Sequence, residues 1–311
     1  MEWGAVMAVK SFRRQLDTRT LLQNFLEHVL NIKADDKTIS EILEAERNTR
    51  DFESHPSSTH DDFRVSKYRE DSDREELRGK ILAELIAEER LKNDSEITLN
   101  CGGAKPANVL ADAQAFVVSG APASGKSGIA SILAERSGAY ILDSDYAKRK
   151  FPEFSEYSCG ASLLHKESDS LIFGESGSLY EYCVYNRYNI VIPLVGRTEN
   201  SMRDICKRLA QAGYTIHMVN VRLDRLKCAR RAYSRFLSEK RYVPLSYVLD
   251  EVGNEPERIY YILRLEGGEI NRISSFAQIS TDVPMGQDPI LLDATESSPV
   301  RSYFEKEAVL A

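Results

Sequence analysis

The sequence predicts an α/β fold, a parallel sheet flanked by helices, preceded by an all-helical N-terminal region that ends near residue 95. Three observations carry this. From about Gln114 onward, short continuous apolar runs alternate with helix-period segments; such runs suit strands covered on both faces, and the order favours crossover helices. Before that point the chain is rich in Asp, Glu, Lys and Arg, poor in Gly, and places its apolar residues at helical spacing. The apolar fraction, 42% of 311 residues, suffices for a hydrophobic core.

Residues 1–95 hold three predicted helices. "DTRTLLQNFLEHVLNI" sets Leu21, Leu22, Phe25, Leu26 and Val29 on one stripe behind an N-cap at Asp17 or Thr18. "KTISEILEAERNTRDF" makes the second helix. "DSDREELRGKILAELIAEERLKN" makes the third, with Leu77, Ile81, Leu82, Leu85 and Ile86 inward. The polar stretch "ESHPSSTHDD" links the last two. In residues 96–311, "QAFVVS", "AYILD", "YNIVIPLV" and "YTIHMVNV" read as strands, with helices over "KSGIASILAERS" and "TENSMRDICKRLAQAG". "DPILLDATE" adds an edge strand or hairpin near the C-terminus.

Between the first strand and its helix stand Gly120, Ala121, Pro122, Ala123, Ser124, Gly125, Lys126 and Ser127, a G-x-x-x-x-G-K-S motif in the context its chemistry requires. The glycines let consecutive N–H groups turn inward, where the helix end joins them around a β-phosphate. Lys126 is expected to bridge β- and γ-phosphate oxygens, and the Ser127 hydroxyl to ligate Mg²⁺.

The second strand ends in Asp143 and Asp145, at the sheet edge where open α/β folds place ligands. One of the pair can orient Mg²⁺ and the other accept the proton of an attacking hydroxyl; helix capping is the structural alternative. The third run ends "IVIPLVGR" without an acid, which argues against an NTPase motor. "VRLDRLKCARRAYSRFLSEKRYVP" carries Arg230, Arg231, Arg235 and Arg241 as candidates to neutralise charge in phosphoryl transfer, with 231 and 235 on one helical face and 230 pointing elsewhere.

Composition excludes several classes. With 41 Lys plus Arg against 48 Asp plus Glu, the net charge is -7 and the pI near 5.5, so no footprint for duplex nucleic acid exists. Five widely spaced cysteines without a C-x-x-C pair suggest neither disulfides nor zinc, and point to a reducing, cytoplasmic compartment. The opening "MEWGAVMAVKSFRRQ" is not a Sec signal, and no apolar run is long enough for a membrane span. A bacterial effector secreted by another route reads the same way.

From about Pro106 to about Glu296, these residues resemble the zeta-toxin family of P-loop kinases. The resemblance rests on "VSGAPASGKS", "ILDSDYAKRKFPEF", "LLHKES", "YNIVIPLVGRTENSMRDICKRLAQAGYTIHMVNVRLD" and "RRAYSRFLSEKRYVP". It implies an ATP- or GTP-dependent kinase acting on the 3′-hydroxyl of the amino sugar in UDP-N-acetylglucosamine, and so a toxin that starves peptidoglycan synthesis. By the same resemblance, Asp145 is the general base and Asp143 its substrate- and Mg²⁺-side neighbour. Lys126 and Ser127 serve triphosphate and metal, and Arg231 and Arg241 stabilise charge. His165 and Glu167 line the substrate cleft, and Arg197 follows the third strand on the substrate side. Where family members carry an acid and a threonine before that Gly-Arg, this chain has Pro193, Leu194 and Val195, an apolar loop with fewer hydrogen bonds for a sugar. The family is held off by a separate helical antitoxin that blocks nucleotide entry. The N-terminal helices are then either an appendage that only thickens the fold or a module that does this in cis, the third helix beside the P-loop. Alternatives are a same-fold kinase for another hydroxyl, such as the NAD ribose or an antibiotic, and a degenerate nucleotide-binding interaction protein.

Overall fold

The computed structural model describes residues 14–284 and 286–304. Residues 1–13, including most of the segment read for a leader, lie outside the described residues. Helix α1 (Arg19–Asn24) begins where the Thr18 side chain accepts from the Leu21 N–H, so Thr18 rather than Asp17 is the cap. It runs into a π-helical turn, Phe25–Val29. Asp35 caps α2 (Asp36–Ser54), and α3 (Asp71–Ala87) follows the polar link.

The α/β part runs β1 (Gln114–Ser119), α4 (Lys126–Ser137), β2 (Tyr140–Ile141) and α5 (Ser144–Lys150). Next come two short turns of helix, α6 (Glu153–Glu156) and α7 (Gly160–Leu163), then α8 (His165–Phe173) and α9 (Leu179–Tyr185). β3 (Ile190–Leu194), α10 (Glu199–Gln211), β4 (Thr215–Arg222) and α11 (Arg225–Glu239) complete the predicted alternation. A second π-helical turn, Tyr247–Val252, precedes α12 (Glu255–Glu266) and α13 (Gly268–Asn271). The chain then adds β5 (Ser275–Ser280), β6 (Ile290–Ala294) and α14 (Val300–Phe304).

The strands form one sheet in the order β2-β3-β1-β4-β5-β6. All neighbours are parallel except β5 and β6, which are antiparallel. "DPILLDATE" thus supplies the edge strand, while β5, unread in the sequence, separates it from β4. The connection from β1 runs to the β2 side and that from β3 crosses back to β4, so the strand order reverses beside β1 and opens a crevice beyond its carboxyl end. Pro193 sits inside β3 opposite Val118. The Val191 carbonyl accepts from the Leu142 N–H, so residue 193 turns its nitrogen to the same side, where β2 has already ended at Ile141. No ladder bond is lost there.

The boundary at residue 95 does not separate two cores. Leu77, Ile81 and Leu85 of α3 share one apolar cluster with the buried strand residues of β1 to β5. Their burial contributes about 1.5–3 kcal/mol each. Leu22, Phe25, Leu26, Leu30, Ile39 and Ile42 share a second cluster with Ala229, Ala232 and Phe236 of α11, and with Ala121 of the Gly-rich loop. The expected placement of the third helix beside the P-loop is therefore corrected: α3 packs on α5 and α9, while α1 and α2 belong to the apolar cluster that includes Ala121 of the loop. The physical reason is the stripe of α3, whose apolar residues match the covered face behind β2; the Tyr140 hydroxyl donates to the Ile86 carbonyl there at 3.1 Å.

Buried charge fastens α3 further. Arg74, fully buried, donates to Glu153 at 2.9 Å and to both carboxylate oxygens of Glu167 at 2.7 and 2.8 Å, with its guanidinium 4.5 Å from the Phe151 ring centre. Lys150 of α5 donates to Glu84 of α3 at 2.7 Å. Each charge is compensated, which is the condition for keeping it out of water.

Candidate active site

The loop 120–125 takes its shape from two glycines. A Cβ on Gly120 would lie 2.8 Å from both Ser124 Oγ and the Val221 carbonyl. Gly125 is left-handed at φ +91°, and a Cβ there would come 3.1 Å from Thr281 Cγ2. Ala123 also lies at positive φ, 61°. The Thr281 hydroxyl, just past β5, donates to the Ser124 carbonyl at 2.5 Å and so floors the loop. Ser124 Oγ is buried without a protein partner among the described residues, which fits an oxyanion seated in this cradle.

Lys126 opens α4 and folds over the loop, its Nζ donating to the carbonyls of Gly120 and Ala121 at 2.8 and 2.7 Å. Burial pushes its pKa down to about 8, although the charges of Asp143 and Asp145 pull the other way.

Asp143 caps α5, its Oδ1 accepting from the Asp145 N–H at 2.9 Å, so the capping alternative holds for this residue. Burial, then the neighbouring Asp145 charge, raises its pKa above the usual carboxylate range. Asp145 behaves oppositely. Burial works against its charge, but Lys148 at 2.9 Å, Arg241 at 3.1 Å and the field of Arg149 outweigh it and hold the carboxyl ionised. The Arg241 guanidinium lies 4.8 Å from the Phe154 ring centre, and its Nη1 is buried with no protein partner among the described residues. Arg231 instead donates to the Thr281 carbonyl at 2.9 Å, under the loop. Arg235 pairs with Glu239 while its charge bears on Lys126 and Arg241, and Arg230 donates to the Leu30 carbonyl at 2.8 Å.

Residues 106–262, just over half of the chain, match the Zeta toxin family model. The chain belongs to the zeta toxin family. With the family goes the loop chemistry: this is a P-loop, nucleotide-binding phosphotransferase. Among solved structures, this zeta toxin family chain is similar to one from the PezAT chromosomal toxin-antitoxin system of Streptococcus pneumoniae. That match has 14% identity, covers 76% of this chain and 88% of that one, and has a TM-score of 0.48. It is also similar to the AvrRxo1-ORF1:AvrRxo1-ORF2 complex with sulphate ions, at 13% identity over 71% and 67% of the two chains, TM-score 0.41. A third similar structure is that complex with ATP, at 10% identity over 91% and 74%, TM-score 0.38. No curated protein matches the chain.

The remaining expected residues divide. His165 begins α8 with its side chain exposed; desolvation and Lys148 lower its pKa while Asp169 and Asp145 pull it up. Glu167 does not line a cleft, and that expectation is corrected. It is fully buried and its oxygens accept from Arg74, from Arg78 at 2.8 Å and from the Ser57 hydroxyl at 2.6 Å. Arg197, 45% exposed, pairs with Glu251 beyond β3. Gly196 before it is left-handed, and Val195 packs against the α11 cluster. Two residues of the site went unread: Lys148, one helical turn from Asp145, and Thr281. Spacing could have found the first, and the alternation in "SFAQIS" the strand that delivers the second.

Among the described residues no group of three or more His, Cys, Asp or Glu gathers around one point, and no helix is long and apolar enough to cross a membrane. A hydroxyl and a carboxylate, Ser127 and Asp143, remain the donors that suit Mg²⁺, which takes one or two protein oxygens beside phosphate and water. All five cysteines are free thiols.

Proposed function

We propose that this chain transfers the γ-phosphoryl group of ATP or GTP to the 3′-hydroxyl of the amino sugar in UDP-N-acetylglucosamine, and acts as a toxin by draining that precursor. One observation carries the reading: Asp145, just past the strand that follows the phosphate loop, is paired with Lys148 at 2.9 Å and with Arg241 at 3.1 Å.

In this scheme the loop amides and Lys126 hold the β- and γ-phosphates, Lys126 exchanging its two carbonyl partners for phosphate oxygens. Asp145 orients the acceptor hydroxyl. As the sugar oxygen bonds to phosphorus, the bond to the β-bridging oxygen breaks, ADP or GDP leaves, and the hydroxyl proton passes to Asp145. A weakly basic carboxylate suffices because the proton departs late in a loose, metaphosphate-like transition state. Arg241 Nη1 is the donor left over for the equatorial oxygens. Bound Mg²⁺, held by Ser127 and Asp143, would supply neutralisation of phosphate charge. The raised pKa of Asp143 reflects buried negative charge that a cation relieves.

Lys148, Arg149 and Arg241 crowd positive charge around Asp145. This favours an acceptor that brings its own phosphates, as a nucleotide sugar does. The test incubates the full chain with ATP or GTP, Mg²⁺ and a panel of UDP-amino sugars, NAD and aminoglycosides, and reads mass gain. One added phosphate on UDP-N-acetylglucosamine supports the proposal. Addition to NAD or an antibiotic reassigns the acceptor, and no addition to any hydroxyl, with nucleotide bound, supports the degenerate nucleotide-binding reading.

A further inference from the structure

At the end of α11 three consecutive residues part ways. Lys240 turns left-handed at φ 56° and donates to Glu41 of α2 at 2.8 Å. Arg241 reaches Asp145 at 3.1 Å. Tyr242 donates its hydroxyl to Glu46 of α2 at 2.5 Å, with both residues buried. The Tyr242 ring meets Phe236 edge-on at 5.4 Å, and its N–H donates to the Ser158 carbonyl at 2.8 Å. α2 thus grips the residue on each side of the arginine while the arginine itself points to the catalytic acid.

We infer that Glu46 of α2, through Tyr242, positions Arg241 over Asp145, which makes the N-terminal helices a working part of the active site. The inference rests on the kinase reading, since it concerns the arginine that reading uses. It opposes the cis-antitoxin expectation in sign: loosening a brake raises turnover, whereas loosening a brace lowers it. The connecting bond is short and buried, and the segment it fixes has a left-handed residue two positions earlier. Losing the hydroxyl therefore removes the side-chain tie between α2 and the residue beside Arg241, while the ring keeps its packing on Phe236 and the N–H its bond to Ser158. Glu46 and Tyr242 act here through Arg241 and not on the reacting atoms, so they are positioning residues.

The test uses the full chain and the variants Tyr242→Phe, Glu46→Ala and Glu46→Gln, alone and with Arg241→Ala. Tyr242→Phe and Glu46→Ala are expected to lower kcat by about 10- to 100-fold, as displacement of a catalytic group by about 1 Å does. The KM for ATP should stay within about twofold. Glu46→Gln, whose amide oxygen still accepts, should recover most of the loss. In the Arg241→Ala background, Tyr242→Phe should change nothing further, because the group it serves is gone. Unchanged or higher kcat in Tyr242→Phe overturns the inference, as does an equal fold-loss in the Arg241→Ala background. A second readout needs no turnover: the Arg241 Nε–H resonance, assigned by its disappearance in Arg241→Lys. A resolved signal in wild type that broadens or vanishes in Tyr242→Phe supports the brace even if no acceptor is phosphorylated. A signal identical in both proteins refutes it.

Discussion

Arg74→Ala tests whether α3 is part of the kinase core or an appendage laid upon it. The guanidinium is wholly buried between Glu153 and Glu167, and its removal leaves two buried carboxylates short of a partner. Glu167 keeps Arg78 and Ser57, but among the described residues Glu153 keeps the Val65 N–H alone, at 3.0 Å. Breaking a buried pair from one side costs about 3–5 kcal/mol, and the lost cation–π contact with Phe151 places the sum toward the upper end. Set against a total of about 5–15 kcal/mol, that is a large share. Urea unfolding of the full chain at pH 7, followed by circular dichroism, should show it, together with a melting point lower by roughly 6–8 °C. The neutral triple change Arg74→Met, Glu153→Met, Glu167→Met should recover most of the loss. The sign with pH is fixed as well. Burial opposes the Glu167 charge, but Arg74, Ser57 and Arg78 outweigh it and hold its pKa below the usual range. A lowered folded value contributes stability above the unfolded value of about 4.3 and loses it as pH falls through the folded one. Wild type should therefore lose more stability than Arg74→Ala on going from pH 5 to pH 3. An Arg74→Ala cost under about 1 kcal/mol would refute the clamp.

Three further outcomes follow from the site. Asp145→Asn should cut phosphoryl transfer about 10²- to 10⁴-fold while nucleotide affinity stays within a few-fold, read by single-turnover kinetics beside a fluorescent-nucleotide titration. Because Lys126 titrates near about 8 and only its ammonium form pairs with phosphate, affinity measured in the same titration should fall as pH rises past that value, and Lys126→Met should flatten the profile. Gly125→Ala strains a left-handed residue against Thr281; it should cost about 1–3 kcal/mol in stability and weaken nucleotide binding, part of which Thr281→Ser should relieve.

The loop and its flanking elements were legible because every signal is local. Strand, glycines, lysine and helix occupy one stretch of chain, and β1 coincides with the run read as "QAFVVS". The α3 stripe was legible for the same reason, with Leu77, Ile81 and Leu85 buried as its period requires. What escaped depends on distance or on polar burial. β5 buries Ser275 and Gln278, which bond to His217 and Asn220 of β4, so an apolar-run reading passes over it. Glu167 lies beside His165 in sequence, but its partner Arg74 is 93 positions earlier, which no spacing rule reaches. The placement of α3 failed similarly: a stripe specifies a face to be covered, not which surface covers it.

The floor of the phosphate loop is Thr281, near the end of the chain, while the helices that complete the fold are made first. A ribosome adding about 5–20 residues per second needs roughly 10–40 s to travel from Leu77 to β5. During that interval the stripe of α3 has only part of the sheet to lie on, and that of α2 waits for α11. Competence for phosphoryl transfer then arrives abruptly, when the last strands dock. Translation stalled anywhere before Thr281 releases a fragment unable to shape the loop.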